Sequence, residues 1–257
     1  MNNITIISHS RIDPKFGKTS EVWTEIINGA KKCNQELTVL APTKSYNDVK
    51  EWYSLVEKAI GSTDSLILPF TKGSDDFVEM LNSFEGDIVL VNTPPPEEWK
   101  KRLKKKIPYV GLDEYRMGYF AAETLLDSIG SQEKILVLLH EKNHEGHDLR
   151  INGIKASGVE VIKLYIDPED ENAIIPEEKR DLPVITLGIR GTEVALKTTK
   201  KIVAIDSNEK VLESLKQGNI IAVLTQNPEK QGREAVEKII LSRDKEDHLI
   251  SPKILFK

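Results

Sequence analysis

The sequence is poor in cysteine and in aromatic side chains, and it has no long apolar run. Cys33 is the only cysteine among 257 residues, so neither an internal disulfide nor a cysteine-based metal knuckle can form. No window approaches the ~18 consecutive apolar residues that a membrane-spanning helix needs. Aromatic residues make up only 6% of the chain, so each tryptophan carries more information than usual.

An excess of basic charge is also lacking. The chain has 36 basic and 41 acidic residues, which gives a net charge of −5 at neutral pH. Proteins that bind nucleic acid use Lys and Arg to neutralise phosphates, so no nucleic-acid partner is expected. The basic run Lys100–Lys106 lacks the interleaved aromatic residues that single-strand binders favour. We interpret it as a solvated face or as a docking patch for a partner.

Motifs of common catalytic sites are missing from the sequence. It contains no Gly-rich phosphate loop, no Gly-x-Ser-x-Gly elbow and no His-Glu-x-x-His pair. Carboxylates are plentiful, but no two of them are singled out as an acid and base couple. His140, His144 and His147 lie among acidic residues, yet their segment is polar and loop-like, so we expect no metal site there. No cofactor and no enzymatic activity are expected.

Short apolar runs alternate with amphipathic helical stretches along the whole chain. Runs of this kind are typical of buried parallel strands, and their alternation with helices is typical of βαβ units. One set of runs ends at Leu112 and a second begins at Lys134, while Asp167–Leu182 reads as a loop with one short helix. The pattern predicts an α/β protein with two Rossmann-like lobes, each a parallel sheet flanked by helices.

Two apolar runs near the C-terminus each end in a lone polar residue. Ile202–Ile205 is followed by Asp206, and the next run along the chain is followed by Gln226. Ligands of open α/β sheets bind just outside the carboxyl ends of the strands, so both side chains are predicted to reach one crevice. Either residue could instead cap the helix that follows it, although Asn208 could serve as the cap in place of Asp206.

Five segments, spread over nearly the whole chain, carry a family resemblance. They are Ser8-His-Ser with Asp13-Pro14, Trp23 and Asn28-Gly29-Ala30; Tyr109-Val-Gly-Leu-Asp113-Glu-Tyr115-Arg-Met-Gly118; Asp148-Leu-Arg150-Ile-Asn-Gly153; Ile202–Asp206; and Val223-Leu-Thr-Gln226-Asn-Pro-Glu-Lys-Gln-Gly232. In this order and spacing they resemble the sugar-binding branch of the type I periplasmic binding proteins, the receptors of ABC importers. The effector domains of the lactose-repressor family share that fold.

The resemblance implies a particular architecture and function. Two lobes, residues 1–112 with 227–250 and residues 113–226 with 251–257, would be joined by a multi-strand hinge and would close on a ligand held between them. The protein would be a monomeric receptor that captures a monosaccharide or related polyol outside the cytoplasm and delivers it to a membrane ABC permease. The first residues read as a strand and show no signal peptide, so such a signal would have been removed, or else the protein is cytoplasmic.

The strand-end positions and the resemblance together give a set of predicted ligand contacts. These are Asp206, Gln226, Arg150, Asn92, Trp23, Asp13, Asp113, His9 and Phe16. Charged partners give strong hydrogen bonds to vicinal hydroxyls, and flat rings cover the apolar face of a sugar. The structural alternatives are core packing for Trp23, helix caps for Asp13 and Asp113, a turn for Asn92, a structural hydrogen bond for His9, and an ion pair with Asp148 or Glu145 for Arg150.

Arg150 and Trp23 carry more specific expectations. Arg150 is expected in the first turn of a helix over Leu149–Ala156, where the helix dipole disfavours a cation, and such a placement hints at a specific partner. Trp23 is expected at the start of the helix that follows the inserted segment Lys15–Val22. Its fluorescence emission should change when ligand binds. Trp52 and Trp99 are expected on outer helices and should stay silent.

The chain departs from the family pattern in three places. It carries an insertion over Lys15–Val22, a shortened segment over Asp167–Leu182, and Gly188-Ile-Arg-Gly191 in place of an Asn-Asp-Glu segment. An alternative function is the effector-binding domain of a sugar-responsive transcription regulator, which would need a helix-turn-helix of about 50–60 residues before the first strand. An enzyme on an open sheet would need a nucleophile and base, and the sequence does not single out such a pair.

Overall fold

The computed structural model describes residues 3–9, 21–33, 35–43, 49–70, 75–140, 145–167, 170–241 and 245–257. In chain order the elements are β1 (Ile4–Ile7), α1 (Glu21–Lys31), β2 (Leu37–Leu40), α2 (Val49–Ile60), β3 (Ser65–Leu68), α3 (Asp75–Ser83), β4 (Asp87–Val91), α4 (Glu97–Lys100), β5 (Tyr109–Leu112), α5 (Glu114–Ile129), β6 (Lys134–Leu139), α6 (Glu145–Ala156), β7 (Glu160–Tyr165), β8 (Val184–Leu187), α7 (Ile189–Leu196), β9 (Ile202–Ile205), α8 (Glu209–Lys216), β10 (Ala222–Thr225), α9 (Pro228–Leu241), β11 (His248–Ile250) and β12 (Lys253–Phe256). None of these helices has the length and apolar character to span a membrane.

The strands form two six-stranded sheets with the same internal plan. The first has the order β11-β5-β4-β3-β1-β2, and the second has the order β12-β10-β9-β8-β6-β7. Strands β1 to β5 pair in parallel, as do β6 to β10, while β12 is antiparallel to β10. The predicted α/β fold with parallel sheets flanked by helices is confirmed. The two orders also show that β4 and β9 hold equivalent places, as do β1 and β6.

Contacts divide the chain into two units. One comprises Met1–Gly111 with Asn227–Ile250, and the other comprises Leu112–Gln226 with Ser251–Lys257. Each unit has its own apolar core on both faces of its sheet. Helices on both faces exclude water from the central strands, which is why those strands read as continuous apolar runs.

In the first unit, α1 and α9 approach each other backbone to backbone through two glycines. A Cβ atom on Gly29 would lie 1.9 Å from the carbonyl oxygen of Glu229, and one on Gly232 would lie 1.8 Å from that of Ile26. No side chain fits at either position, so the helices can come this close only where both carry glycine.

The second unit repeats this arrangement with α5 and α6. A Cβ atom on Gly118 would lie 1.9 Å from the carbonyl oxygen of Arg150, and one on Gly153 would lie 2.0 Å from that of Tyr115. All four crossing glycines belong to the segments that carry the family resemblance. Part of that resemblance therefore reflects helix packing rather than ligand contact.

The basic run Lys100–Lys106 is largely engaged within the first unit. Its ion pairs with acidic residues are Lys100–Asp247, Arg102–Asp75 and Lys106–Glu246. Lys105 donates to the carbonyl oxygens of Phe84 and Gly86 at 2.7 and 2.6 Å. Burial and the neighbouring Lys245 lower the pKa of Lys105. Many of the basic side chains in this run thus form ion pairs or hydrogen bonds within the first unit.

The glycine crossing in the second unit leads to a stability prediction. Gly118→Ala should lower the free energy of unfolding by roughly 1–3 kcal/mol, because the added methyl group must force two backbones apart. Urea unfolding measures this loss. The matched control is Gly61→Ala at the end of α2, where the nearest atom would be 3.9 Å from the new Cβ. Equal stability of the two variants would contradict the close contact between the backbones of α5 and α6 at Gly118.

Candidate functional site

Two of the predicted ligand residues adopt a left-handed backbone conformation directly after a strand. Asn92 follows β4 with φ 65°, and Asp206 follows β9 with φ 74°. The two strands hold equivalent places in the two sheet orders. This conformation costs an L-residue about 1–2 kcal/mol, although Asn and Asp tolerate it best. Backbone strain of this kind is concentrated at functional sites, so both strand ends are candidates for ligand contact.

The turn at Asn92 is held by the side chain of Tyr109 on the neighbouring strand. The hydroxyl of Tyr109 donates to the carbonyl oxygen of Asn92 at 3.1 Å. Gly111 makes room for this hydroxyl, since a Cβ atom there would lie 1.9 Å from it. Asn92 therefore does form a turn, as its structural alternative expected. Ligand contact by its side chain stays a prediction.

Trp52 approaches the carboxyl end of β1 in the first unit. Its indole nitrogen donates to the carbonyl oxygen of Ser8 at 3.1 Å, and its ring lies edge-on to His9 with ring centroids 6.4 Å apart. Trp52 lies on α2 and is only 2% exposed, because its ring packs into the core of the first unit. Residue types alone do not indicate this contact, because an indole can donate to a backbone carbonyl from any helix that passes near it.

Trp23 lies in the apolar core of the first unit. It is 2% exposed and belongs to one buried cluster with Ile4, Ile6 and Ile26. This agrees with the core-packing alternative, and contact with a ligand stays a prediction. Asp13 and Phe16, also predicted contacts, lie outside the described residues.

A polar cluster occupies the carboxyl edge of the second sheet. Asp206 accepts a hydrogen bond from Nε2 of Gln226 through Oδ1 at 2.6 Å. Its other oxygen, Oδ2, lies 4.0 Å from Nη1 of Arg150. The predicted contacts Asp206, Gln226 and Arg150 are thus brought together. A fourth residue, Glu114, accepts from Nε of Arg150 at 2.5 Å.

Arg150 differs from its expected setting in two ways. Helix α6 begins at Glu145, so Arg150 lies in the second turn and the argument from the helix dipole was wrong. The structural alternative named Asp148 or Glu145 as the ion-pair partner; Asp148 lies 3.7 Å from Lys163, and Arg150 donates to Glu114. Sequence periodicity missed the first turn of α6 because that turn is polar.

The structure separates helix caps from the polar cluster. Asn208 caps α8 by accepting from the backbone N–H of Val211 at 2.9 Å, so Asp206 is not that cap. Asp113 does cap α5, where its Oδ1 accepts from the backbone N–H of Arg116 at 2.9 Å. Ligand contact by the remaining oxygen of Asp113 stays a prediction.

Burial shapes the electrostatics of this cluster. Loss of water raises the pKa of the Glu114 carboxyl group, while the neighbouring Arg150 guanidinium opposes that shift. Asp206 and Asp113 reinforce it, because a second negative charge nearby disfavours ionisation. With both carboxylates ionised, Glu114 and Asp206 share the single positive charge of Arg150.

Two histidines lie at the same edge. The rings of His140, directly after β6, and His147, on α6, are 5.5 Å apart. Gly188 has φ 118°, and a Cβ atom there would lie 2.6 Å from Cε1 of His140. The segment that replaces the family's Asn-Asp-Glu thus makes room for an imidazole. Across the described residues, no three His, Cys, Asp or Glu side chains are grouped as a metal site.

Glu114 is the member of the cluster that the sequence analysis missed. At the first position of α5 it reads as an ordinary acid placed favourably on the helix dipole. A signal was nevertheless present, since Glu114 stands four residues before Gly118 and Arg150 stands three before Gly153. Those spacings put each charge on the same helix face as its glycine. Two faces that touch at glycines bring the charges together.

Comparison with known proteins supports the fold. Neither protein-family models nor curated protein sequences give a match. Among solved structures, an ABC transporter periplasmic solute-binding protein from Actinobacillus succinogenes with bound D-allose has a TM-score of 0.79 at 16% identity, covering 100% of this chain and 98% of that one. A solute-binding protein from Agrobacterium vitis with bound D-fucose scores 0.77 at 18% identity, covering 99% and 95%. One from Burkholderia graminis with D-arabinose scores 0.79 at 14% identity, covering 100% and 95%.

This chain has the type I periplasmic binding-protein fold. At these identities the comparison establishes architecture and leaves the ligand to be argued from the site. The fold identified from the resemblance is confirmed, and the polar cluster lies where open α/β sheets bind their ligands, outside the carboxyl ends of the strands.

The left-handed turn at Asn92 leads to a second prediction. Asn92→Gly should be more stable than Asn92→Ala by about 1 kcal/mol, because glycine adopts a positive φ without steric cost. The control is Asn152, exposed within α6, where the order should reverse and Ala should exceed Gly by about 1 kcal/mol. Chemical unfolding of the four variants measures these differences in the free energy of unfolding. The same order at both positions would contradict the turn.

Proposed function

We propose that this protein is a solute-binding receptor for a monosaccharide or a related polyol, and that it binds its ligand without changing it chemically. The carrying observation is the cluster of Asp206, Gln226 and Arg150 at the carboxyl edge of the second sheet. A left-handed backbone turn presents Asp206, Gln226 bonds one of its oxygens, and Arg150 lies near the other.

The spacing between Asp206 and Arg150 suits a hydroxyl group. At 4.0 Å the two groups are too far apart for a direct hydrogen bond. A hydroxyl oxygen about 2.8 Å from each could donate to Oδ2 of Asp206 and accept from Nη1 of Arg150. Sugar hydroxyls both donate and accept, whereas a carboxylate or phosphate ligand would only accept and would face Asp206 with like charge. The proposed ligand is therefore neutral.

The remaining sequence-derived contacts are part of this proposal. They are Asn92, Trp23, His9, Asp113, Asp13 and Phe16. We further propose that the receptor works outside the cytoplasm as a monomer and hands its ligand to a membrane ABC permease. The support for this step is the fold, which it shares with periplasmic solute-binding proteins of ABC transporters.

A screen of neutral monosaccharides by thermal shift tests the binding function. A ligand at 100 times its dissociation constant adds about 2.7 kcal/mol to the stability of the folded protein, so a true ligand should raise the melting temperature clearly. Asp206→Asn should then weaken binding about ten- to hundredfold in calorimetry, because it removes a charged acceptor.

The matched control is Asn208→Ala, which should cost about 1 kcal/mol of stability by removing the cap of α8 while leaving the affinity unchanged. Wild-type affinity in Asp206→Asn would refute the placement of the site. Mass spectrometry of the sugar after incubation should show it unaltered, and a chemical product would refute the receptor function.

Tryptophan emission provides a separate prediction for the first unit. Because Trp52 bonds the carbonyl oxygen of Ser8 and faces His9, ligand binding at this strand end should change its emission. Trp52→Phe should then reduce the ligand-dependent signal, and Trp23→Phe measures any share from Trp23. Trp99 is the control, since Arg102 covers its ring at 4.4 Å. An undiminished signal in Trp52→Phe would contradict this position for Trp52.

A further inference from the structure

The described residues contain one buried pair of opposite charges. Glu114 is 5% exposed and Arg150 is 3% exposed, and no other Asp, Glu, Lys or Arg in the described part of the chain is buried to this degree. The carboxylate of Glu114 accepts from Nε of Arg150. The pair lies where α5 and α6 cross at Gly118 and Gly153.

Stability alone is a weak reason for such a pair. Removing two charges from water is costly, and apolar side chains of similar volume often stabilise a fold as well or better. Met117, three residues after Glu114, and Ile151, next to Arg150, belong to one apolar core cluster. A role in the site explains the pair better than a role in folding.

The geometry of the bond defines that role. Glu114 engages the Nε edge of the guanidinium, which fixes the plane of the group, and Nη1 is then directed to within 4.0 Å of Asp206. A planar guanidinium held at one edge presents its other donors in a fixed direction. Without that restraint, Arg150 could rotate and form a direct ion pair with Asp206, closing the gap that a ligand hydroxyl would occupy.

We propose that Glu114 is a positioning residue, which holds Arg150 at the distance from Asp206 that a ligand hydroxyl bridges. This inference rests on the sugar-binding function proposed above and adds a residue that acts through Arg150. Glu114 itself makes no contact with the ligand. Among the described residues, Asp206 after β9 and Asp113, the cap of α5, interact electrostatically with Glu114, and His147 stands three residues before Arg150 on α6.

A double-mutant cycle tests whether Glu114 acts through Arg150. Calorimetry with the sugar found in the thermal-shift screen compares wild type, Glu114→Gln, Arg150→Met and the double variant. Glu114→Gln should weaken binding about tenfold in the wild-type background. In the Arg150→Met background the same change should alter affinity by less than about twofold, because a residue that acts only through Arg150 loses its effect when Arg150 is absent. Equal losses in both backgrounds, or no loss in the first, would overturn the proposal.

The pH dependence of affinity separates positioning from a structural role. Because burial raises the pKa of Glu114, its carboxylate should be lost on acidification at a higher pH than an exposed glutamate. Wild-type affinity should then fall as the pH drops through that raised pKa, and Glu114→Gln should lack this component. Identical profiles would overturn the proposal.

A measurement without ligand keeps this inference separate from the proposed function. In nitrogen-15 spectra of the ligand-free protein, the Nε–H signal of Arg150, assigned by its absence in Arg150→Met, should exchange slowly with water. Glu114→Asp keeps the buried charge but withdraws it by one methylene group, and exchange should then accelerate. If no sugar binds, the receptor function fails, while this comparison still decides whether Glu114 holds Arg150. Equal exchange rates in wild type and Glu114→Asp would overturn the positioning role. This comparison does not require Glu114→Gln to fold.

Discussion

The close crossing of α5 and α6 at two glycines is the constraint on which the candidate site depends. Gly118 and Gly153 let the helix backbones touch, and this contact fixes the rotation of each helix about its axis. Glu114 and Arg150 lie on the touching faces, so they meet in a buried ion pair. The same contact places Arg150 beside Asp206 at the end of β9. If the helices stood farther apart, the guanidinium would reach neither carboxylate in this geometry.

A second constraint acts on the backbone at the strand ends. Asn92 and Asp206 both turn into the left-handed region immediately after a strand, at equivalent places in two sheets of identical order. The turn carries the chain away from the sheet and leaves the side chain at its carboxyl edge. The hydroxyl of Tyr109 donates to the backbone of Asn92, and the amide of Gln226 donates to the side chain of Asp206. Strain that has such support is typical of positions kept for binding.

Charge in the second unit complements the proposed chemistry. Two carboxylates around one guanidinium leave no excess of positive charge for an anionic ligand, while a hydroxyl can donate to one group and accept from the other. The paired imidazoles of His140 and His147 extend the polar edge of the same sheet, in the region where the sequence departs from the family pattern.

The sequence by itself determined the α/β class, the parallel pairing and the strand ends at Asp206 and Gln226. These features follow from apolar periodicity and from the breaks between elements, which are local properties of the chain. Glu114 as the partner of Arg150, Trp52 at the end of β1 and Asn208 as the cap of α8 were decided only by the tertiary structure. Each of these depends on which helix face packs against which neighbour, or on which of two nearby polar groups lies within hydrogen-bond distance of a backbone N–H. Such choices depend on how closely the elements pack in three dimensions. The residue type at a single position does not determine that packing.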